Sequence, residues 1–189
     1  MDNRDQIKKG LRKFYLSKRK ELTEIQVQSK SHDIIKRVLQ SKEYEDAESI
    51  HCYLAMPQNR EVDTTELILD ALNSGKSVVV PKMNRNYSLD HIRIDSLKHL
   101  RTNKWGVSEP VKGEIADLSE LDLILIPMVA GDRYRNRLGY GLGYYDRFLN
   151  EVTAVKAGLL FRFQLHEDKL TVEPHDVPLD ILFTESEKI

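Results

Sequence analysis

Apolar positions along the chain fall alternately into helical and strand periods. Ile7, Leu11, Phe14 and Tyr15 recur at i, i+4, i+7 and i+8, which predicts an amphipathic helix over residues 3–20 with one apolar stripe. Lys8 and Arg12, four apart, sit together one step round from that stripe. They read either as a solvated basic face or as two cations reaching a ligand from the stripe's edge. Thr23 with Gln26 three residues on is a capping-box pattern, and it opens a second helix whose buried face is Val27, Ile34, Ile35, Val38 and Leu39. Ile50, Cys52 and Leu54 alternate with Ser49, His51 and Tyr53, the period of a strand. Residues 56–61 are then a loop, because Pro57 stops a ladder and disfavours helix before it. Asp63, with Glu66 in the capping-box position, predicts a third helix carried by Leu67, Ile68, Ala71 and Leu72 to Gly75 at its C′ position.

Residues 77–80 read as a strand buried on both faces and ended by Pro81. Strand, helix and strand in this spacing predict a βαβ unit with a right-handed crossover. Residues 87–94 alternate as an edge hairpin would, and 105–110 read as an ordered loop. Trp105 within that loop is either packing or a ring that stacks on a base. Strands are expected at 121–126, 154–160 and 181–184, the last preceded by Glu173-Pro174-His175-Asp176. No repeat, low-complexity segment or linker interrupts the pattern. The expectation is one α/β domain over 1–189, in three layers, with a mostly parallel sheet flanked by helices.

Composition narrows the function. Of 189 residues, 40% are hydrophobic and 31% charged, an ordinary globular balance with enough interior for a core. Lys plus Arg number 29 and Asp plus Glu 30, for a net charge of -1, so nucleic acid and membrane surfaces gain no global support and any basic site must be local. The single cysteine, Cys52, excludes an internal disulfide and lies in an apolar stretch that suits a buried structural thiol. With no apolar signal region and no run of transmembrane length, the cytoplasm is the expected compartment.

One stretch carries candidate chemistry. Arg137-Leu138-Gly139-Tyr140-Gly141-Leu142-Gly143-Tyr144-Tyr145-Asp146-Arg147 follows an apolar run at 123–127 and a polar loop at 129–136, then enters a helix-like segment at 144–150. Strand, glycine-rich loop and helix together offer backbone N–H groups to an anion. Arg137 and Arg147 bracket the glycines with positive charge, and the tyrosines offer flat faces for stacking. Asp146 supplies a hard oxygen for magnesium, or else merely favours the helix macrodipole. The spacing is neither a Walker A motif nor G-x-G-x-x-G, and glycine's steric use in a tight turn stays open beside a nucleotide-phosphate site. Glu61, just past a strand end, lies where open α/β sheets place ligands, or is a solvated loop glutamate. His175-Asp176 is a plain polar pair unless the fold brings Asp176 near Asp146. No Ser-His-Asp order, HExxH or CxxC occurs, so neither a hydrolase nucleophile nor a zinc site is supported.

The stretch 137–147 resembles the signature of the 5-formyltetrahydrofolate cyclo-ligase family. The resemblance extends through Lys8-x-x-Leu11-Arg12, the 56–61 loop, Gly75-Lys76 before the strand at Pro81, Trp105-Gly106-Val107 with Glu109-Pro110, Ile126-Pro127 and Glu173-x-His175-Asp176. It implies an enzyme in which MgATP phosphorylates the formyl oxygen of 5-formyltetrahydrofolate and a neighbouring amine closes the ring, giving 5,10-methenyltetrahydrofolate, ADP and phosphate. Such a reaction needs positioning and charge neutralisation rather than a protein nucleophile.

By resemblance, Lys8 and Arg12 contact ATP phosphates. Arg137, Gly139, Tyr140, Gly141, Leu142, Gly143, Tyr144 and Tyr145 wrap the nucleotide. Asp146 and Asp176 hold magnesium, while Met56, Glu61 and Tyr144 face the folate, Glu61 accepting from pterin N–H groups. Arg137, Tyr144 and Asp146 are the expected catalytic residues. The chain departs from the family at Gly131, where a ring beside the folate is usual, at Arg135, usually Gly, and at Leu142, usually Gly or Lys. Small-molecule substrates are expected, with no nucleic acid and no membrane, on a monomer or weak homodimer. The competing readings are a non-enzymatic nucleotide- or RNA-binding relative, and a kinase whose acceptor is not a folate.

Overall fold

Residues 3–84, 86–103 and 106–189 are described in the computed structural model; Trp105, with both readings of it, lies outside them. The chain runs α1 (Asn3–Lys20), α2 (Glu24–Leu39), α3 (Lys42–Asp46), β1 (Ser49–Cys52), α4 (Thr65–Asn73), β2 (Ser77–Met83) and β3 (Leu89–Ile94). Short strands β4 (Leu100–Thr102), β5 (Ser108–Pro110) and β6 (Glu114–Ile115) lead to β7 (Leu123–Pro127), β8 (Ala130–Asp132) and β9 (Arg137–Leu138). The rest is α5 (Tyr144–Leu149), β10 (Val155–Leu159), β11 (Leu165–His166) and β12 (Ile181–Phe183).

The main sheet has the order β12-β10-β7-β1-β2-β3-β6, parallel from β12 to β2 and antiparallel across β2–β3 and β3–β6. Alternation within single strands splits the core. Leu123 and Leu125 of β7 face the side covered by Ile34, Ile35 and Val38 of α2 and Leu67, Ile68 and Ala71 of α4. Ile124 and Ile126 face the opposite side, under Phe148 and Leu149 of α5. Three layers result, as the periods predict. Among the described residues no helix is long and apolar enough to cross a membrane.

Local chemistry explains most boundaries. The Thr23 side chain accepts from the Gln26 N–H while Gln26 reaches back to Thr23, the reciprocal cap predicted for α2. Gly75, at φ +80°, follows α4, and the Lys76 N–H returns to the Ala71 carbonyl at 2.9 Å. The other end of α4 differs from expectation. Asp63 accepts from the Thr65 N–H at 2.9 Å in an Asx turn, and Glu66 pairs with His32 at 2.9 Å instead of closing a capping box. Pro81 does not end β2, which continues to Met83. Pairing with β1 stops at Val79, so beyond that point the β1 side of the strand is an edge, where a missing N–H forfeits no ladder bond.

Two segments overturn the simple pattern. Residues 129–132, expected in a polar loop, are buried, and 130–132 form β8 of a second sheet of order β11-β8-β9. Asp132, fully buried, organises the turn after it by accepting from the N–H groups of Tyr134 and Asn136, the Asn136 amide and the Leu170 N–H. Arg135 sits in that turn at φ +63°, a conformation glycine adopts without strain. Gly131 packs among Leu182, Leu160 and Met128 in the core.

The second surprise is α1. Its buried residues are Lys8, Tyr15 and Arg19, at 8%, 5% and 2% exposure, while Ile7 and Phe14 are 44% and 54% exposed. The inward face runs Lys8, Leu11, Arg12, Tyr15 and Arg19, turned about one residue from the apolar stripe. It rests on the small sheet through Tyr15, Val129, Ala130, Leu138 and Leu170. The solvated-face reading therefore fails for Lys8, while Arg12 is half-buried beside it. Buried cations need partners, and those partners form the site.

Candidate active site

The carboxyl ends of the central strands open into a cavity of about 280 Å³. Leu54 and Met56 after β1, Pro81 and Met83 of β2 and Pro127 of β7 form its floor, and residues 137–146 form one wall. Open α/β sheets bind ligands at this end. A wider depression of about 1280 Å³ lies where the strands begin, around Ser49, Ser77 and Asp122. It is shallow and lacks the glycine loop, so the smaller cavity is the functional candidate.

The loop's glycines leave room for guanidinium groups. A Cβ on Gly139 would stand 2.8 Å from the Arg137 Nη1. Gly141, at φ +95°, would bring one to 3.1 Å from the Arg12 Cζ. Arg137 lies beneath the loop with its side chain 5% exposed. It donates from Nη2 to the Asp146 Oδ1 at 2.5 Å and stacks 5.7 Å from the Tyr145 ring centre. Its buried Nε has no hydrogen-bond partner among the described residues. Arg12 donates from Nε to the Gly139 carbonyl at 2.9 Å. Burial lowers the Arg12 pKa from its ordinary value, opposed by the charges of Asp176 and Asp146.

Lys8 reaches the chain's tail, with Nζ 2.7 Å from the Asp176 Oδ2 and 3.9 Å from the Glu173 Oε1. Burial pushes the Asp176 carboxyl up, but the Lys8 hydrogen bond, the Glu173 N–H and the charges of Lys8 and His175 bring it below the usual carboxylate range. Asp146 and Asp176 both act on Arg12, and each holds a cation through one oxygen. Among the described residues no three His, Cys, Asp or Glu side chains gather as a metal cluster. Two carboxylates nevertheless suit magnesium, which binds through one or two carboxylates together with phosphates and water.

Across the cavity, Glu61 is 5% exposed. Its Oε2 accepts from the Met56 N–H at 2.7 Å, and its Oε1 accepts from the Tyr140 hydroxyl. Burial raises the carboxyl's pKa, opposed by the Tyr140 bond, the charge of Arg19 and the Met56 N–H. It is not a solvated loop residue. Met56 lines the cavity with its thioether 3.5 Å from the Asn59 Nδ2.

The other expected residues divide. Tyr140, Leu142, Gly143, Tyr144 and Tyr145 all line the cavity. The Tyr144 hydroxyl donates to the Asn84 carbonyl at 3.2 Å, and Leu142 is 55% exposed. Arg147 does not join them: it donates to the Tyr87 carbonyl at 2.6 Å and the Leu142 carbonyl at 3.0 Å, stapling the β2–β3 turn to the glycine loop. Sequence reasoning missed Arg19, which donates to the Tyr140 hydroxyl at 2.6 Å and the Met128 carbonyl at 3.3 Å. A signal existed. Arg19 falls four residues after Tyr15 and eight after Leu11, which puts a charge in line with an apolar stripe.

Fold and cavity together define an α/β protein with a glycine- and arginine-rich loop facing a buried carboxylate across a cavity at the strand ends. The family model described as the 5-formyltetrahydrofolate cyclo-ligase family matches residues 4–185. A Haemophilus influenzae protein named 5-formyltetrahydrofolate cyclo-ligase is 31% identical over 95% of this chain and 96% of its own length. A Schizosaccharomyces pombe protein named as a probable 5-formyltetrahydrofolate cyclo-ligase is 30% identical over 84% of this chain and 85% of its own. The solved structure of Aquifex aeolicus 5,10-methenyltetrahydrofolate synthetase superposes with a TM-score of 0.85 at 33% identity, covering 96% of this chain and 91% of that one. The chain belongs to the 5-formyltetrahydrofolate cyclo-ligase family and is an enzyme of that class.

Proposed function

We propose that the chain converts 5-formyltetrahydrofolate and ATP into 5,10-methenyltetrahydrofolate, ADP and phosphate. The formyl oxygen attacks the γ-phosphorus, and the bond from that phosphorus to the ADP oxygen breaks. The neighbouring amine nitrogen then attacks the activated formyl carbon and loses its proton. Phosphate departs with the former formyl oxygen, and the methenyl cation remains. A formamide is a poor electrophile, and phosphorylation turns its oxygen into a leaving group.

The protein's part is positioning and charge neutralisation. On this reading Lys8, Arg12 and Arg137 face the phosphates, with the N–H groups of Gly139, Gly141, Leu142 and Gly143 beside them. The Tyr144 and Tyr145 rings bound the reacting end, and Met56 and Glu61 receive the pterin. Asp146 and Asp176 would hold magnesium, which when bound neutralises phosphate charge. Residues 1–189 then act as one cyclo-ligase domain in the cytoplasm, on small molecules alone, as a monomer or weak homodimer.

The observation that carries this reading is the convergence on the glycine loop and Asp176 of Lys8 and Arg12, residues far away in sequence. The test is incubation with 5-formyltetrahydrofolate and MgATP while the near-ultraviolet band of the methenyl product is followed. The band should rise in step with ADP. No rise at high enzyme concentration contradicts the proposal, and ADP without the band would indicate another phosphoryl acceptor.

A further inference from the structure

Arg19 is a buried charge that makes no direct ion pair among the described residues. The residue is 2% exposed, and its guanidinium packs 5.5 Å from the Tyr140 ring centre. Its hydrogen bonds go to the Tyr140 hydroxyl and the Met128 carbonyl, and its Nε has no partner among the described residues. An arginine can only donate. The Tyr140 oxygen must therefore accept from Arg19, and its own proton is free to point at the carboxylate beside it, Glu61. Both Glu61 oxygens thus face donors, Tyr140 on one and the Met56 N–H on the other. That donor pattern favours the ionised form, which burial alone would oppose. Arg19, Tyr140 and Glu61 form a neutral set only while Glu61 carries its charge. Protonating Glu61 would strand Arg19 as an unpaired buried cation, a costly state.

We infer that Arg19 is a positioning residue which, acting through the Tyr140 hydroxyl, keeps Glu61 ionised and fixed in orientation as the acceptor for the N–H groups of the reduced folate. The inference rests on the proposed folate site, and Arg19 itself touches neither substrate. It gives Tyr140 a second duty besides lining the cavity. It also accounts for a charge at the end of α1 in a position packing alone would fill with an apolar side chain.

The test compares wild type with Arg19→Met, Arg19→Lys and Tyr140→Phe. Glu61 is followed directly by the carboxyl carbon resonance of ¹³C-labelled glutamate as pH is varied, and kcat and both KM values are measured alongside. Loss of a nearby cation or donor makes a carboxylate easier to protonate. Arg19→Met and Tyr140→Phe should therefore each move the Glu61 titration to higher pH by about one unit. The acid limb of kcat/KM for 5-formyltetrahydrofolate should move with it. The folate KM should rise roughly tenfold, the worth of a charge-assisted hydrogen bond, while the ATP KM stays within about twofold. Arg19→Lys, which keeps the charge, should restore part of the shift.

An unmoved Glu61 titration in Tyr140→Phe, a variant that keeps the ring, overturns the inference whether or not Arg19→Met folds. Equal losses in both KM values with an unmoved acid limb would make Arg19 merely structural and also overturn it. Because the resonance reads Glu61 without turnover, a wild type that makes no methenyl product would refute the proposed function while leaving this test standing.

Discussion

Helices α1 and α2, of 18 and 16 residues, show what packing alone decides and what a site adds. On α2 the buried set is Ser31, Ile34, Ile35 and Val38, against a main sheet of Leu, Ile and Val. Each fully buried aliphatic side chain there contributes about 1.5–3 kcal/mol relative to exposure. On α1 the buried set includes Lys8 and Arg19, and two apolar residues point to water. Beside a small apolar patch around Tyr15, its partners are a carboxylate, two carbonyls and a tyrosine hydroxyl. α2 is oriented by hydrophobic burial. α1 is oriented by a small apolar patch together with polar partners at residues 128–140 and at Asp176.

The difference is measurable, beginning with its largest consequence. Arg12→Ala should cut cyclo-ligase turnover by about a hundredfold or more, as loss of a preorganised phosphate donor does, with little change in melting temperature. A stability loss with unchanged turnover would erase the contrast. Ile35→Ala on α2 should do the reverse, costing about 3 kcal/mol in denaturant unfolding while both KM values of the folded enzyme stay put.

A pH contrast follows from Asp176, whose carboxyl is held below its ordinary value in the fold. A depressed carboxylate contributes stability that is present above its unfolded value and lost as pH falls through the folded one. The loss thus falls below about pH 4. Hydrogen exchange should show α1 amides losing protection there before those of α2, and simultaneous loss would count against ion-pair docking of α1. The smallest effect is expected at Phe14. Although apolar, it is mostly exposed, so Phe14→Ala should change unfolding free energy by no more than about 0.5 kcal/mol.

The same contrast explains how much was legible in the sequence. The α2 cap, the β1–α4–β2 unit and the strand-loop-helix around 137–147 depend on neighbours a few residues away, and each has a local signature. The inward face of α1 does not, because Lys8 meets a partner 168 positions on and Arg12 one 127 positions on. Its apolar stripe pointed the wrong way by one residue. Residues 129–132 misled for the opposite reason: Asp132 makes the segment look polar, yet its carboxylate is buried because four donors converge on it. Arg147 looked like a phosphate ligand from its place beside the glycines, and only the β2–β3 turn packed against it reveals a staple. Residue pattern raised Lys8, Arg12, Glu61 and Asp176 as candidates, and family resemblance gave each an expected role. Neither supplied Arg19, which needs the geometry of Tyr140 to acquire a role.

On the proposed reading Lys8 and Arg12 of α1 bind the nucleotide phosphates, whereas Arg19 serves the folate side. Calorimetric titration of MgATP into wild type and into the Lys8→Met/Arg12→Met variant, which keeps side-chain length and removes both charges, tests it most directly. The account predicts at least about a hundredfold weaker MgATP binding in the variant, given charge-assisted bonds of some 1.5–3 kcal/mol each, with 5-formyltetrahydrofolate affinity within about twofold of wild type. Unchanged MgATP affinity in a folded variant would contradict it.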